Sequence, residues 1–331
     1  MEDDIKNWFI HSGAGIGMGG IERVNHEILD GWKSVSKTEL VPFQPRKDFS
    51  SVFQYRNGCR DKKNSTTIFM HLGLTKFLLF GRPGGPVKVF LHGIEAWKRL
   101  PFWHRYLLRR VDHFLSNSQY TWDRFIEINP EFSKARHDVV HLGIGEPTEY
   151  QPPDPNVPAA LIIGRMSKSE DYKGHRELIS VWPGVRKEVP GAELWIAGAG
   201  DLKPELEELA KDQEGIRFFG KVSEEEKQDL LRRCRCLAMP SKNEGFGLVY
   251  LEAMRLGRPC LVSDCDAGRE VIGYETPSFI LTNNKSTGNF QILVKIFMDA
   301  SFCRRLSMAM YNRYSSSFTS LQFLQRFSSK F

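Results

Sequence analysis

The chain has 331 residues, enough for one large domain or, as we expect here, two domains of ordinary size. Hydrophobic residues make up 41% and charged residues 26%, a normal globular balance with enough apolar material for two cores. The net charge of +6 fits anionic partners such as nucleotides, phosphates or an anionic membrane surface, but it is too small and too spread out to indicate nucleic acid.

The cysteines and the start of the chain indicate the compartment. Six cysteines are scattered without a disulfide or zinc-knuckle pattern, so we predict buried, reduced thiols. The acidic start lacks the apolar run of a signal peptide, and no stretch approaches the length of a membrane-spanning helix. We therefore expect a cytoplasmic protein.

In the first half of the chain, short apolar runs alternate with amphipathic segments. Residues 20–32 have the pattern of a helix, and residues 105–128 mix helix and strand signals. The apolar runs predict strands at 7–10, 39–43, 66–73, 87–93 and 137–144. Residues 148–160 contain four prolines, so this stretch predicts a linker.

The same alternation restarts after the linker. Strands are predicted at 160–165, 192–200, 215–220, 236–241 and 259–264, with helices at 174–188, 202–212, 223–234 and 247–257. Ser223 and Glu226 have the spacing of a capping box, and Gly257 and Pro259 should end the last of these helices. The pattern predicts an α/β protein with two doubly wound parallel sheets facing one another.

Ligands of open parallel sheets bind beyond the carboxyl ends of the strands. The glycine-rich loops predicted there comprise residues 13–20, 92–93, 164–165, 198–200 and 243–247. In the second domain, Arg165, Lys173 and the helix start at Phe246, Gly247 and Leu248 describe a diphosphate site. A single glycine loop after a strand is usually just a turn, and each cation alone is compatible with a solvated surface charge. Several such loops at the same sheet edge favour a ligand site.

Two carboxylates flank the last of these loops. Glu244 lies in the loop and Glu252, eight residues later, lies inside the following helix. A carboxylate repels a diphosphate but accepts hydrogen bonds from sugar hydroxyls, so a nucleotide sugar, with a sugar on each side of its diphosphate, satisfies both acids. The alternative is that Glu252 faces solvent and Glu244 caps the helix.

Five stretches resemble one known family. These are GGIERV, FLHGIEAW, GRMSKSEDYKGHRELI, LWIAGAGD and PSKNEGFGLVYLEAMRLGRPCLVSD. They resemble the retaining nucleotide-sugar glycosyltransferases of the bacterial polysaccharide and lipid-glycosylating group, which are glycosyltransferase family 4-like. The resemblance implies the GT-B fold: two Rossmann-like domains, here 1–150 and 151–300, with the active site in the cleft between them. A helical tail, 301–331, should then pack back on the first domain.

The resemblance also implies the reaction. A sugar would move from a UDP- or GDP-sugar to a carbohydrate or lipid-linked acceptor, with retention of configuration and without a metal or other cofactor. Such a reaction belongs to the synthesis of cell-surface polysaccharide or glycolipid.

The site residues follow from the resemblance as well. It assigns Arg165 and Lys173 to the donor diphosphate, Glu252 to the ribose and Glu244 to the transferred sugar. It adds His92 to the sugar pocket, Gly19 and Gly20 to the loop near the donor phosphate and acceptor, and the backbone amides of Gly245, Phe246, Gly247 and Leu248 to the sugar and phosphate. Two departures are a longer stretch between Arg165 and Lys173 and the absence of a double glycine before Glu270.

Two other functions fit parts of the sequence. Gly15, Gly17 and Gly20 have the spacing of a dinucleotide-binding loop, and Glu39 follows at about the right distance for an NAD-dependent dehydrogenase. However, Glu39 opens the second apolar run instead of following it. A nucleotide-sugar-binding protein without catalysis is the second alternative.

Residues 98–110 mix basic and aromatic side chains in one short segment. Aromatic rings settle at the headgroup level of a bilayer and cations attract anionic lipid, so the segment predicts peripheral association with the inner face of the membrane. An ordinary amphipathic helix, with Leu107 and Leu108 in the core, is the alternative.

Overall fold

The computed structural model describes residues 6–14, 19–46, 48–60, 65–277 and 290–331. The chain divides into two compact units, one formed by Met1–Gly145 and Thr319–Phe331 and the other by Glu146–Phe318. The division falls slightly before the predicted boundary at 150. Residues 301–318, predicted as part of the tail, belong to the second unit.

The first unit contains a six-stranded parallel sheet. Its strands are β1 (Lys6–Ile10), β2 (Glu39–Phe43), β3 (Thr67–Phe69), β4 (Val87–Leu91), β5 (His113–Ser116) and β6 (His137–Val139), in the order β2-β1-β3-β4-β5-β6. Its first helices are α1 (Gly20–Val35), α2 (Phe49–Arg60), α3 (Phe102–Leu108) and α4 (Gln119–Ile128). The segment with mixed signals, 105–128, thus resolves into the end of α3, then β5 and α4.

Two parts of the first unit differ from the sequence prediction. The strand predicted at 66–73 ends at Phe69 and is followed by a 3₁₀ helix, Leu72–Phe80, whose start is capped by the His71 ring accepting the Gly73 N–H at 3.0 Å. Helix α2 was not predicted. Phe49 and Phe53 in α2 are 93% and 67% exposed, so the helix does not place its large apolar residues on one buried face.

The second unit contains a five-stranded parallel sheet. Its strands are β7 (Ala159–Ile163), β8 (Glu193–Ala197), β9 (Ile216–Gly220), β10 (Cys236–Met239) and β11 (Cys260–Val262), in the order β11-β10-β7-β8-β9. Its helices are α5 (His175–Glu188), α6 (Lys203–Ala210), α7 (Glu224–Arg233), α8 (Leu248–Arg255), α9 (Gly268–Ile272), α10 (Gln291–Met298) and α11 (Ala300–Ser317). The central strand β7 is buried along most of its length, as expected for a parallel sheet covered on both faces.

The helix boundaries in this unit follow the predicted signals. Ser223 Oγ accepts the Glu226 N–H at 3.1 Å, and Glu226 Oε2 accepts the Ser223 N–H at 2.7 Å, so the predicted capping box is confirmed. Helix α8 ends just before Gly257, which has a φ of +67°. Such a left-handed residue is a common helix stop.

The proline-rich linker and the tail both make specific contacts. Residues 146–158 contain no helix or strand and belong to the second unit, where Tyr150 and Ser307 of α11 share a 2.9 Å hydrogen bond. The last helix, α12 (Ser320–Ser328), packs on α1 of the first unit. There the Trp32 ring contacts Phe327 and Phe331, with centroid distances of 6.2 and 5.0 Å.

All six cysteines are free thiols. Four are buried, as expected: Cys234, Cys236, Cys260 and Cys303. Burial raises the pKa of Cys234 to about 12, so this thiol is inert at neutral pH. Cys59 is half-buried and Cys265 is exposed, so the prediction of buried thiols is wrong for Cys265.

Candidate functional site

Arg165 and Lys173 lie at the carboxyl end of β7, the central strand of the second sheet. Arg165 directly follows Gly164, and a kinked 3₁₀ segment, Lys168–Lys173, brings the chain back to the same edge. The Lys173 stem crosses over Gly164, where an added Cβ would lie 2.9 Å from Lys173 Cδ. A glycine at 164 therefore leaves room for the lysine to reach its partners.

A chain of ion pairs links three of the four residues predicted to be catalytic. Arg165 Nη2 contacts Glu170 Oε1, and the second oxygen of Glu170 lies 3.4 Å from Lys173 Nζ. The same ammonium lies 3.5 Å from Glu244 Oε2. The Arg165 side chain is 80% exposed, whereas Glu170, Lys173 and Glu244 are 12%, 14% and 22% exposed. Sequence reasoning did not name Glu170, although it lies in the stretch noted as unusually long.

The charge state of Lys173 follows from this environment. Burial alone would lower its pKa, but the carboxylates of Glu244 and Glu170 outweigh burial and raise the pKa above its usual value. Lys173 is therefore a stable cation across the physiological pH range. Burial also raises the pKa of the adjacent Tyr172 to about 12, so that phenol stays neutral.

Asp266 fixes the loop that carries Glu244. The Glu244 N–H donates to Asp266 Oδ2 at 2.9 Å, the Gly268 N–H donates to Oδ1 at 2.9 Å, and the Glu244 carbonyl accepts the Ala267 N–H at 3.1 Å. Burial raises the pKa of Asp266 to about 7, although these two amides oppose the shift. Asp266 lies in the segment without the double glycine, and sequence reasoning missed it.

Helix α8 begins where the loop ends. Gly247 precedes the helix with a φ of +83°, and a Cβ at this position would lie 2.3 Å from the Tyr250 ring, so the turn requires glycine. Phe246 is buried with its ring 6.1 Å from that of Phe318. The predicted donor-binding stretch, residues 245–248, is thus a rigid turn into a helix whose N-cap residue has no side chain.

Glu252 lies inside α8 and is only 5% exposed. Its Oε1 is 2.9 Å from the Nζ of Lys227 in α7, and Lys227 also lies 2.8 Å from Glu224. The alternative in which Glu252 faces solvent and Glu244 caps α8 is therefore wrong, since Gly247 is the N-cap residue. Sequence reasoning did not identify Lys227 as the partner of Glu252.

The first unit holds the other predicted residues. His92 follows β4, its ring Nε2 lies 2.8 Å from the Met70 carbonyl, and burial lowers its pKa while Glu95 and Glu22 partly offset the effect. A carbonyl only accepts, so the neutral ring carries its proton on Nε2 and presents Nδ1 as an acceptor. Gly20 opens α1 and Gly19 precedes it, one turn from Glu22.

The second unit also has a cavity of about 600 Å³, but at the opposite edge of its sheet. Its lining includes the first residue of β7, Ala159, the first residue of β8, Glu193, and three arginines at 217, 232 and 233. The cavity lies at the amino ends of the strands, whereas Lys173 and Glu244 lie at the carboxyl ends. It therefore does not belong to the predicted donor site.

Comparison with known proteins identifies the part of the chain that carries this cluster. Residues 157–298 match the sequence profile of the family described as Glycosyl transferases group 1. Residues 157–298 are a group 1 glycosyltransferase domain. The cluster of Arg165, Lys173, Glu244 and Glu252 lies within it.

Similar proteins extend the comparison beyond the group 1 domain. A phosphatidyl-myo-inositol mannosyltransferase of Mycolicibacterium smegmatis is 31% identical over 171 residues, which cover 50% of this chain and 43% of the relative. A glycogen synthase of Mycobacterium tuberculosis is 29% identical over 59% of this chain and 46% of its own length. The chain thus matches less than half the length of these curated relatives.

Solved structures match nearly the whole chain. Anabaena HepE in complex with UDP and glucose has a TM-score of 0.75 at 16% identity, covering 98% of this chain and 99% of HepE. The lipopolysaccharide outer core galactosyltransferase WaaB has a TM-score of 0.70 at 16% identity, covering 99% of this chain and 100% of WaaB. The predicted GT-B fold class, with two Rossmann-like parallel sheets, is confirmed.

Proposed function

We propose that this chain is a retaining glycosyltransferase. It transfers a sugar from a nucleoside diphosphate sugar, UDP- or GDP-linked, to a hydroxyl of a carbohydrate or lipid-linked acceptor in cell-surface polysaccharide or glycolipid synthesis. The observation that carries the proposal is the pairing of Lys173 with Glu244 at the carboxyl edge of the second sheet, inside the group 1 domain. The UDP in the HepE complex and the mannosyltransferase name of the mycobacterial relative support a nucleotide sugar as donor.

The roles of the side chains follow from their charges. Lys173 and Arg165 bind the diphosphate, with the start of α8 adding backbone amides. Glu244 accepts hydrogen bonds from the transferred sugar, and Glu252, at the side of α8, accepts them from the ribose. His92, Gly19 and Gly20 belong to the first unit and remain predictions for the sugar pocket and the donor and acceptor loop.

The reaction needs no protein nucleophile. The bond from the anomeric carbon to the β-phosphate oxygen breaks, and the acceptor oxygen bonds to the same carbon on the same face. The acceptor proton passes to the departing phosphate oxygen. The contribution of the chain is to hold the reactants in place and to stabilise the charge that develops on the leaving diphosphate.

The position of Glu39 bears on the dehydrogenase alternative. Glu39 is the first residue of β2 and lies 3.0 Å from Lys6, the first residue of β1. A ribose-binding acid should instead follow the second strand, at the carboxyl edge. Gly15 and Gly17 of the proposed dinucleotide loop lie outside the described residues.

An assay with radiolabelled nucleotide sugars tests the proposal. The purified chain should hydrolyse one donor slowly and release the matching nucleoside diphosphate, because in transferases water replaces the acceptor at a low rate. Binding without any turnover would support the non-catalytic alternative, and a response to nicotinamide cofactors would support a dehydrogenase. A thermal-shift series with UDP, GDP, ADP and dTDP identifies the base, since a ligand that binds the native state raises the melting temperature.

Activity should survive removal of divalent metal ions. This expectation rests on Arg165 and Lys173 supplying the positive charge that magnesium or manganese provides in metal-dependent transferases. The measurement is turnover with and without excess EDTA, for the donor identified above. Loss of activity on chelation, with recovery on adding magnesium or manganese, would contradict it.

A membrane-docking surface on the first unit would place the enzyme beside lipid-linked acceptors. Phe102, Trp103 and Tyr106 of α3 are 75%, 49% and 60% exposed, while Leu107 and Leu108 are buried. Lys98 and Arg109 of the same segment are exposed too, so the segment presents both aromatic side chains and cations to solvent. No described helix is both long and apolar enough to cross a bilayer.

The chain should bind liposomes that contain anionic lipid, and added salt should weaken the binding. Lys98→Glu with Arg109→Glu should reduce binding, because each cation near the surface contributes roughly 1 kcal/mol. The matched control reverses two exposed charges of the second unit, Lys221→Glu with Arg232→Glu, and should bind like wild type. An equal loss of liposome binding in both double variants, or no binding by the wild-type chain at low ionic strength, would show that α3 is an ordinary structural helix.

A further inference from the structure

The cations proposed to hold the donor diphosphate are already neutralised in the chain itself. Arg165 and Lys173 carry two positive charges, and Glu170 and Glu244 carry two negative charges within the same chain of ion pairs. A diphosphate that binds both cations must either displace one carboxylate or lie beside it and be repelled. Either event reduces the affinity for an anionic ligand.

The two carboxylates differ in their backbone setting and in their proposed role. The Glu244 N–H donates to the Asp266 carboxylate and the Glu244 carbonyl accepts the Ala267 N–H, so the backbone at Glu244 is tied to the segment that follows β11. Glu170 instead lies at the kink of the 3₁₀ segment Lys168–Lys173, with non-helical φ and ψ of −122° and 25°. Its partner Arg165 is mostly in solvent, where ion pairs are weak and exchange readily. Glu244 is the proposed partner of the transferred sugar, so Glu170 is the carboxylate that has no proposed ligand and would have to leave its cations when a diphosphate binds.

We propose that Glu170 is an internal counter-ion that competes with the nucleotide for Arg165 and Lys173. This inference rests on the proposed function and gives Glu170 the role of lowering the affinity of the site for nucleotides. In the free protein Glu170 holds both cations at the mouth of the site. When a diphosphate binds, it takes these cations and Glu170 swings away.

The competition acts more strongly on product than on donor. The diphosphate of a nucleotide sugar is esterified at both ends, whereas the product ends in a free phosphate that ionises further, with a pKa of about 6 for such groups. The product therefore gains more from the two cations, and loses more to Glu170. The consequence is weaker product binding and faster release after transfer.

Glu170→Gln is the direct test, because glutamine keeps the shape and removes the charge. Isothermal titration with UDP and GDP at low ionic strength should show the variant binding its nucleoside diphosphate about tenfold more tightly, a difference equivalent to a single ionic contact. The donor KM should fall by a smaller factor, and product inhibition should become stronger. Asp171→Asn is the matched control: it removes the same charge from the next residue, whose partner is Arg176, and should leave affinity unchanged.

Four outcomes separate the possibilities. Tighter product binding in Glu170→Gln but not in Asp171→Asn supports the inference, and Glu170→Ser should reproduce it if the glutamine variant is unstable. Unchanged or weaker binding in both Glu170 variants, with a wild-type melting temperature, overturns it. Equal tightening in Asp171→Asn also overturns it, because the effect would then be general electrostatics. If the wild-type chain binds none of the nucleotides, the proposed function fails and the inference fails with it.

Discussion

Replacing Lys173 by alanine should lower turnover by about 10²–10³-fold, the usual effect of removing one preorganised group that stabilises a developing charge. The ammonium lies between Glu170 and Glu244, at 3.4 and 3.5 Å, and is largely shielded from water. Its removal takes away a cation next to the leaving diphosphate and leaves two carboxylates facing the same anion. The measurement is kcat with the donor identified by the nucleotide series.

Two further lysine variants show whether the effect is specific. Lys242→Ala removes a half-exposed lysine of the same unit, which pairs with Glu177 at 2.7 Å, and should keep wild-type turnover. Lys173→Arg keeps the charge and should retain part of the activity. Wild-type kcat in Lys173→Ala, with a confirmed donor, would remove Lys173 from the site.

The second large effect is that the two acids, Glu244 and Glu252, should influence different kinetic constants. Glu244→Ala should mainly lower kcat, because its proposed partner is the sugar that moves. Glu252→Ala should mainly raise the donor KM, because a hydrogen bond to a buried charged group is lost. The expected loss of donor binding free energy is about 1–3 kcal/mol. Steady-state kinetics on both variants separate the two effects.

The control for Glu252 uses the third member of its cluster. Glu224 is half-exposed and lies 2.8 Å from Lys227, so Glu224→Ala disturbs the same lysine without removing the proposed ribose contact. Its donor KM should stay close to that of wild type. If Glu224→Ala raises KM as much as Glu252→Ala does, then Glu252 acts only by fixing Lys227.

Local sequence signals predicted most of the second unit. The apolar strands, the capping box at Ser223 and the helix stop at Gly257 depend on residues close together in the chain, so periodicity and turn chemistry are enough to place them. The loops at Arg165 and Glu244 were predicted for the same reason, because parallel strands bring their carboxyl ends to one edge.

The missing parts of the site are contacts over longer separations. Glu252 pairs with Lys227, 25 residues away, and Glu244 binds Asp266 across 22 residues. No periodic pattern connects such residues, and one charged residue among many does not reveal its partner. Glu170 is a different case: it is only three residues from Lys173, but it lies at a kink of the 3₁₀ segment that no periodic pattern predicts.

The packing of the C-terminal helices α11 and α12 also depends on contacts that local sequence patterns do not predict. Both α11 and α12 are helices of ordinary composition, so the sequence predicts that they form but not which sheet each one packs against. The structure assigns α11 to the second unit and residues 319–331 to the first. Local amphipathicity carries no information on that choice.

Because α12 belongs to the first unit, the two units cannot complete their folding in the order in which they are synthesised. The second unit is one continuous stretch, so it can fold as soon as residue 318 has emerged. The first unit lacks the side chains that cover Trp32 until the segment with Phe327 and Phe331 has been synthesised. The half of the protein that is translated first is therefore the half that is completed last, and until then the Trp32 ring lacks its contacts with Phe327 and Phe331.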